Sequence, residues 1–133
     1  MRAILNEIGR LTPIGTVRKV DGSVTHMKVY PEFCEGLKDI SLYSHLIVLY
    51  WAHRRDNEEE RQTLLVYPRR HNRKAETGVF SCRSPSRPNP ICLCVVELLK
   101  AEGCTLTVKG LDAEPGSPIL DIKPYLARAM ASS

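Results

Sequence analysis

The chain has 133 residues, 43% of them hydrophobic and 26% charged, with a formal net charge of +4. These values describe a single domain (residues 1–133) large enough for its own core. The longest apolar run, Leu46 to Ala52, is far too short to span a membrane, and Met1 to Glu7 contain no apolar stretch of signal-peptide length. The expectation is a cytoplasmic protein with no membrane partner.

In chain order, Ile14 to Val20 and Val24 to Tyr30 flank Asp21-Gly22 and predict a β-hairpin with a two-residue turn. Pro31 to Leu37 reads as a short helical turn ending near Gly36. His45 to His53 is nearly continuous in apolar residues, as expected of a strand buried on both faces. Asp56 to Gln62 reads as a polar connection, with short strands at Leu64 to Tyr67 and Gly78 to Cys82. Ile91 to Leu99 fits helix or strand by pattern; its β-branched content and the prolines before it favour strand. Thr105 to Leu111 alternates as a half-exposed strand does, and Ile119 to Ile122 forms a last strand stopped by Pro124. Leu126 to Ser133 is a tail, helical or disordered. The sum predicts a mostly-β, single-domain small β-barrel.

The five cysteines are an odd number in a chain without a secretion signal, so a disulfide framework is not expected. Cys92 and Cys94 alternate with Ile91, Leu93 and Val95 and share one strand face. No Cys-x2-Cys pair suggests zinc. Buried, inert thiols are the expectation, and no metal.

Charge is concentrated. Between His53 and Arg87 lie nine of the 19 basic residues against five acids, an excess equal to that of the whole chain. The densest part is Arg69-Arg-His-Asn-Arg-Lys74, just after Tyr67. Such a run is a solvated loop or an electrostatic footprint for phosphates. Pro85, Pro88 and Pro90 crowd six residues, which therefore form neither helix nor central strand. This stiff segment carries Arg87 and Asn89, with Arg83 just before it. Pre-ordered backbone with fixed polar groups suits a ligand site; it also suits a rigid loop whose arginines brace carbonyls. Gly-x-Gly-x-x-Gly, P-loop and His-Glu-x-x-His motifs are absent, which excludes a Rossmann nucleotide site at the motif level.

Gly78-Val-Phe-Ser-Cys-Arg-Ser-Pro-Ser-Arg-Pro-Asn-Pro-Ile91 resembles the signature of the TsaA-like family, which includes the TrmO-type tRNA adenine-N6 methyltransferases. Ile14-Gly-Thr-Val-Arg18, Glu35 to Ile40, Ser44 to Arg54 and Leu111 to Tyr125 are similar to its other blocks, in order, so the resemblance covers about residues 14–126. The departures are Ser81-Cys82 for Ala-Thr, Ser86 for asparagine, Cys92 for glycine, Cys94 for serine or threonine, and Pro115 for aspartate. The tight hairpin around Asp21-Gly22 stands where bacterial members insert a Pro-Arg-Gln element, and the chain is expected to be a short form without their C-terminal domain.

The resemblance implies a barrel that binds S-adenosyl-L-methionine without a Rossmann fold, as a homodimer. It implies methylation of threonylcarbamoyl-adenosine beside the tRNA anticodon. The alternatives are a barrel that binds the cofactor or RNA without turnover, or a methyltransferase for another substrate. By position, His53, Arg54, Arg83, Leu93, Leu111, Asp112, Gly116, Ser117 and Pro118 correspond to cofactor contacts. Asp121 is the candidate general base for a nucleophile that carries a proton. Arg69, Arg70, Arg73, Lys74, Arg87, Asn89, Lys123 and Tyr125 are candidate substrate contacts, with tRNA the expected partner.

Overall fold

Alternation of inward and outward side chains dominates the chain, and the strands it produces close on themselves. The structure, a computed structural model, describes residues 9–68 and 75–126. The strands are β1 (Gly15–Asp21), β2 (Val24–Val29), β3 (His45–Trp51), β4 (Leu65–Val66), β5 (Thr77–Gly78), β6 (Ile91–Glu102), β7 (Thr105–Lys109) and β8 (Pro118–Pro124). Six of them form a closed antiparallel barrel in the order β1-β2-β7-β6-β3-β8, and β4 and β5 pair separately. The predicted fold class is therefore observed. Strand edges differ from expectation at a few places. The hairpin turn is Gly22-Ser23 rather than Asp21-Gly22, since Asp21 still pairs with Val24, and Gly22 supplies the positive φ of 65°. Cys82 is not in a strand, because Val79 to Ser81 coil into a 3-10 turn. The polar connection contains a four-residue helix, α1 (Glu58–Arg61), which starts where the Asn57 side chain accepts the Glu60 N–H.

Val17, Met27, Leu46, Val48, Tyr50, Val96, Leu106, Val108 and Ile119 fill the interior with Leu111. Bulges between Val17 and Lys19, between Leu98 and Lys100, and in β8 opposite Leu49–Tyr50 bend the strands into so small a cylinder. The seam is narrow: β1 meets β8 only through Gly15↔Ile119 and Thr16↔Pro118. A Cβ on Gly15 would lie 2.2 Å from the Lys28 carbonyl oxygen, so only glycine fits between β2 and β8 at that point.

One end of the barrel is covered by the 3-10 turns Pro31–Leu37 and Ile40–Leu42, whose Leu37 and Ile40 pack on the core. The proline at the start and the left-handed Asp39 between them (φ 70°) set this compact double turn. Below the seam, Ile14, Phe33, Leu37 and Ile122 line a mostly apolar cleft of about 240 Å³, with Asp121 also in its lining.

The expectation of five reduced thiols is overturned. Cys34, in the covering turn, is bonded to Cys104, with 5.4 Å between Cα atoms. The pairing is a consequence of topology. Since β2 pairs with β7, the chain leaving β2 passes the turn entering β7, and the Val29 N–H donates to the Cys104 carbonyl at 2.9 Å. Neither the number of cysteines nor the composition of the first residues bears on that proximity. Cys82, Cys92 and Cys94 remain free.

The bridge spans 70 residues of sequence, and closing a loop of that size stabilises by about 2–4 kcal/mol. Reduction, or the Cys34→Ala/Cys104→Ala pair, is expected to lower the melting temperature by roughly 10 °C for a domain of this size. Scanning calorimetry with and without reductant checks this. A thiol titration of the denatured, unreduced chain should count three reactive groups; five would remove the bridge.

Candidate functional site

The end of the barrel opposite the covering turns is where the distant motifs meet. β3 exits there into the 3-10 turn His53–Arg55. The Ala52 N–H donates to the Pro90 carbonyl at 2.9 Å, docking the proline segment on the strand exit. Across the mouth, the Arg54 Nε lies 3.2 Å from the Glu114 carboxylate, tying the exit turn to the 111–117 loop. Both side chains are well exposed, so this pair orients more than it stabilises. The 111–117 loop is sewn to β1 by Gly116 N–H to Val17 O at 2.8 Å and Val17 N–H to Ser117 O at 3.0 Å. Gly116 takes φ 89°, which a side chain would strain. Buried Ser117 turns its hydroxyl onto the Glu114 carbonyl at 2.6 Å, and Leu111 sits in the core, so both offer a ligand backbone only.

Side chains reaching out from the core hold the same loop from below. The Tyr50 hydroxyl donates to the Asp112 carbonyl, and the Asp112 N–H donates to Cys94 Sγ at 3.5 Å. Burial, with Cys94 and Cys92 adding to it, pushes the Tyr50 hydroxyl far above the usual tyrosine range, so it remains a donor. Burial also raises the Cys92 thiol, in keeping with an inert group.

The proline segment is braced by α1. The Ser86 hydroxyl donates to Glu60 Oε1; Arg55 reaches Glu60 at 3.2 Å and Ser86 at 3.3 Å. Arg61 bonds Asp56 at 3.1 Å and the Asn89 side chain at 3.3 Å while lying 5.9 Å over the Trp51 ring. Arg87 spends its guanidinium on the carbonyls of Cys82 at 3.2 Å and Ser84 at 2.9 Å. Of the two arginines in this motif, Arg87 is thus a brace. Arg83 is exposed and engages no hydrogen bond or salt bridge among the described residues.

Other residues singled out from the sequence lie elsewhere. Cys92 and Cys94 pack toward the core, so Leu93, Ile91 and Val95 face outward on the barrel wall. Leu49 pairs with Leu93 on one side and Asp121 on the other, placing all three in one row of that wall. The Asp121 carboxylate accepts the Ile122 N–H at 2.9 Å and pairs with Lys123 at 3.2 Å. Tyr125 bonds the His45 carbonyl, at the far end of β3 and about 20 Å from the mouth at the ordinary strand rise. His53 is exposed at the mouth, and Pro118 opens β8 beside it. Arg69, Arg70, Arg73 and Lys74 lie outside the described residues. Sequence reading missed Tyr50, Cys94, Arg55, Glu60 and Arg61; only Tyr50 carried a signal, a phenol in an apolar run that needs a partner when buried.

Residues 12–130 match the profile of the tRNA-methyltransferase O N-terminal domain. The chain belongs to that family. Among its relatives, a probable S-adenosyl-L-methionine-binding protein of Archaeoglobus fulgidus is 54% identical over 99 residues, covering 74% of this chain and 25% of that one. A protein of the same description from Methanothermobacter thermautotrophicus is 41% identical, covering 87% and 89%. The crystal structure of TrmO from Pseudomonas aeruginosa superposes with a TM-score of 0.71 at 26% identity, over 94% of this chain and 59% of that one. This member of the family therefore spans a quarter of the first relative and somewhat over half of the solved protein.

The Ser86 hydroxyl, more than the Arg55 charge, holds the Glu60 carboxyl below the usual glutamate range. A depressed folded-state pKa means the brace is intact above the ordinary glutamate value and is lost as pH falls through the lowered one. Glu60→Gln is expected to loosen residues 82–90 at neutral pH, as acidification does in the unaltered chain. Hydrogen exchange should quicken in that segment and not in β3 or β6. Unchanged exchange would mean that α1 does not brace the loop.

Proposed function

We propose that this chain is an S-adenosyl-L-methionine-dependent methyltransferase of the TrmO type, acting on a tRNA adenine at N6. One observation carries the reading: three motifs remote in sequence, at residues 52–54, 82–91 and 111–118, meet at one mouth of the barrel. The groups gathered there suit the cofactor. Arg83 offers an uncommitted fork of donors for a carboxylate or ribose oxygens. His53 and Arg54 edge the site, and Gly116 lets a ligand approach the 111–117 backbone closely. Leu93 adds apolar surface from the adjoining wall. The cofactor supplies a methyl group on a sulfonium, ready for in-line displacement. The protein's own contribution is placement, which for such a displacement accounts for much of the rate.

The wall beside the mouth supports a two-fold pair. Leu49, Trp51, Ile91, Leu93 and Val95 make it apolar, and Ile91 and Val95 are well exposed in the single chain. A second copy covering this wall would enclose Leu93 and bring Asp121 to a shared site, with two equivalent sites per dimer. Asp121 is the proposed base for the N6 proton. Its carboxylate is already engaged by the Ile122 N–H and Lys123, which favours a second reading, a barrel that binds cofactor or RNA without turnover. On that reading Asp121 merely caps a strand edge. Lys123 and Tyr125 are then surface residues.

Titration calorimetry should show cofactor binding near one per chain, weakened about tenfold or more by Arg83→Ala, the range for a charge-assisted bond. No binding at millimolar cofactor would sink the proposal. Asp121→Asn should abolish tRNA methylation, read by nucleoside mass spectrometry, and leave cofactor affinity alone. Full activity of the variant would remove Asp121 as the base, and no methylation by the parent chain would favour the reading without turnover.

The basic stretch Arg69, Arg70, Arg73 and Lys74 is proposed to meet the RNA backbone. Neutralising it should weaken tRNA binding and flatten its dependence on salt. Cofactor affinity should hardly move, since charge effects across solvent fade over about 8–10 Å. Equal tRNA binding at low salt by the altered and parent chains would assign the stretch to a solvated face.

A further inference from the structure

The peptide of Asp112 is gripped at both of its polar ends by side chains that rise from inside the barrel. Its carbonyl accepts the Tyr50 hydroxyl and its N–H is donated to Cys94 Sγ. These two residues stand on adjacent strands, with Tyr50 paired to Cys92 and Val48 to Cys94. Tyr50 is 7% exposed, and Cys94 packs against the same core. The neighbouring anchors of the loop, at Gly116 and Ser117, are ordinary backbone bonds to β1. Thr16 adds a hydroxyl bond to the Ser117 carbonyl at 3.5 Å, and exposed Arg54 pairs with Glu114. At the Asp112 end, by contrast, both the carbonyl and the N–H are held by side chains whose places are set by core packing.

We propose that Tyr50 and Cys94 are positioning residues that set the 111–117 backbone for the cofactor. The proposal rests on the reading of that loop as a cofactor contact. A backbone already fixed before a ligand arrives has little entropy left to lose on binding, so the clamp acts on affinity. A phenol held neutral by burial and a thiol used as acceptor perform this without charge, so salt should not disturb it. Cys94 stands where the family pattern has serine or threonine; a hydroxyl is also an acceptor there, so the thiol keeps the function by other chemistry.

Three variants separate positioning from bulk stability. Tyr50→Phe keeps the ring and removes the donor, Cys94→Ala removes the acceptor, and Cys94→Ser keeps an acceptor of similar size. Hydrogen exchange tests the clamp with no cofactor present. Tyr50→Phe and Cys94→Ala should speed exchange across residues 111–117 while β3 and β6 stay protected, and Cys94→Ser should restore the slow rate. Calorimetry with S-adenosyl-L-methionine tests the consequence. The first two variants should bind about three- to tenfold more weakly, as loss of one neutral hydrogen bond implies, and Cys94→Ser should match the parent. Unchanged loop exchange in Tyr50→Phe overturns the clamp. Faster exchange with unchanged affinity overturns its role in binding. A parent chain that binds no cofactor removes the role in binding together with the methyltransferase reading, and the exchange data then decide the clamp alone.

Discussion

The structure depends on the closure of its barrel at Gly15. β1 must touch β2 along its length and also reach β8, and it does the latter through two residue pairs only. The backbone of β2 comes so near at that point that a Cβ would sit inside the Lys28 carbonyl. A wider seam would separate β8 from β1. The bonds that hold Gly116 and Ser117 to Val17 would go with it, because they begin where the two pairs end. The shape of the mouth is thus a consequence of one missing side chain at the seam.

Around the mouth, rigidity and availability are divided between similar residues. Arg55, Arg61 and Arg87 are consumed by Glu60, Asp56, Asn89 and loop carbonyls. The proline segment, which cannot make ladder hydrogen bonds of its own, needs these partners to keep its polar groups satisfied. Arg83 precedes the prolines and escapes that duty. An outward-facing guanidinium on a loop immobilised by three others is a preorganised donor, and preorganisation is what a site on irregular backbone otherwise lacks.

Much of this was legible. Apolar patterning and turn residues located the six barrel strands to within one to three residues. His45 to His53, however, read as a continuous apolar run, and Ile91 to Leu99 needed its β-branched content and preceding prolines to favour strand over helix. The proline run marked the rigid segment correctly as neither helix nor central strand. The basic and acidic residues of 54–61, in contrast, read only as a polar connection. Their pairing follows from α1 folding back over Trp51, which no local pattern encodes. Adjacency in sequence also misleads across a strand. Asp121 and Tyr125 belong to one motif, yet Asp121 lies in the Leu49–Leu93 row and Tyr125 at the opposite end of the barrel. Cys34 and Cys104 were unreadable as partners for the opposite reason, being 70 residues apart and joined only by the β2–β7 pairing.

That bridge bears on where the cleft beside Asp121 gets its shape. Phe33, Gly36 and Leu37, which line the cleft, lie within three residues of Cys34 in a segment with no fully buried residue of its own. Hydrophobic contact alone therefore holds the covering turn weakly, and the covalent link supplies the constraint that the core does not. In a reducing compartment such links rarely persist, hyperthermophile proteins excepted. Opening it would leave the barrel strands paired, since none of their ladders depends on the bridge, and would free the covering turn first. The cleft would change while the mouth, 111–117 loop and proline segment at the other end kept their bonds. The two ends of this barrel are secured by different chemistry, a sulfur bridge at one and side-chain hydrogen bonds at the other, and so they respond to different conditions.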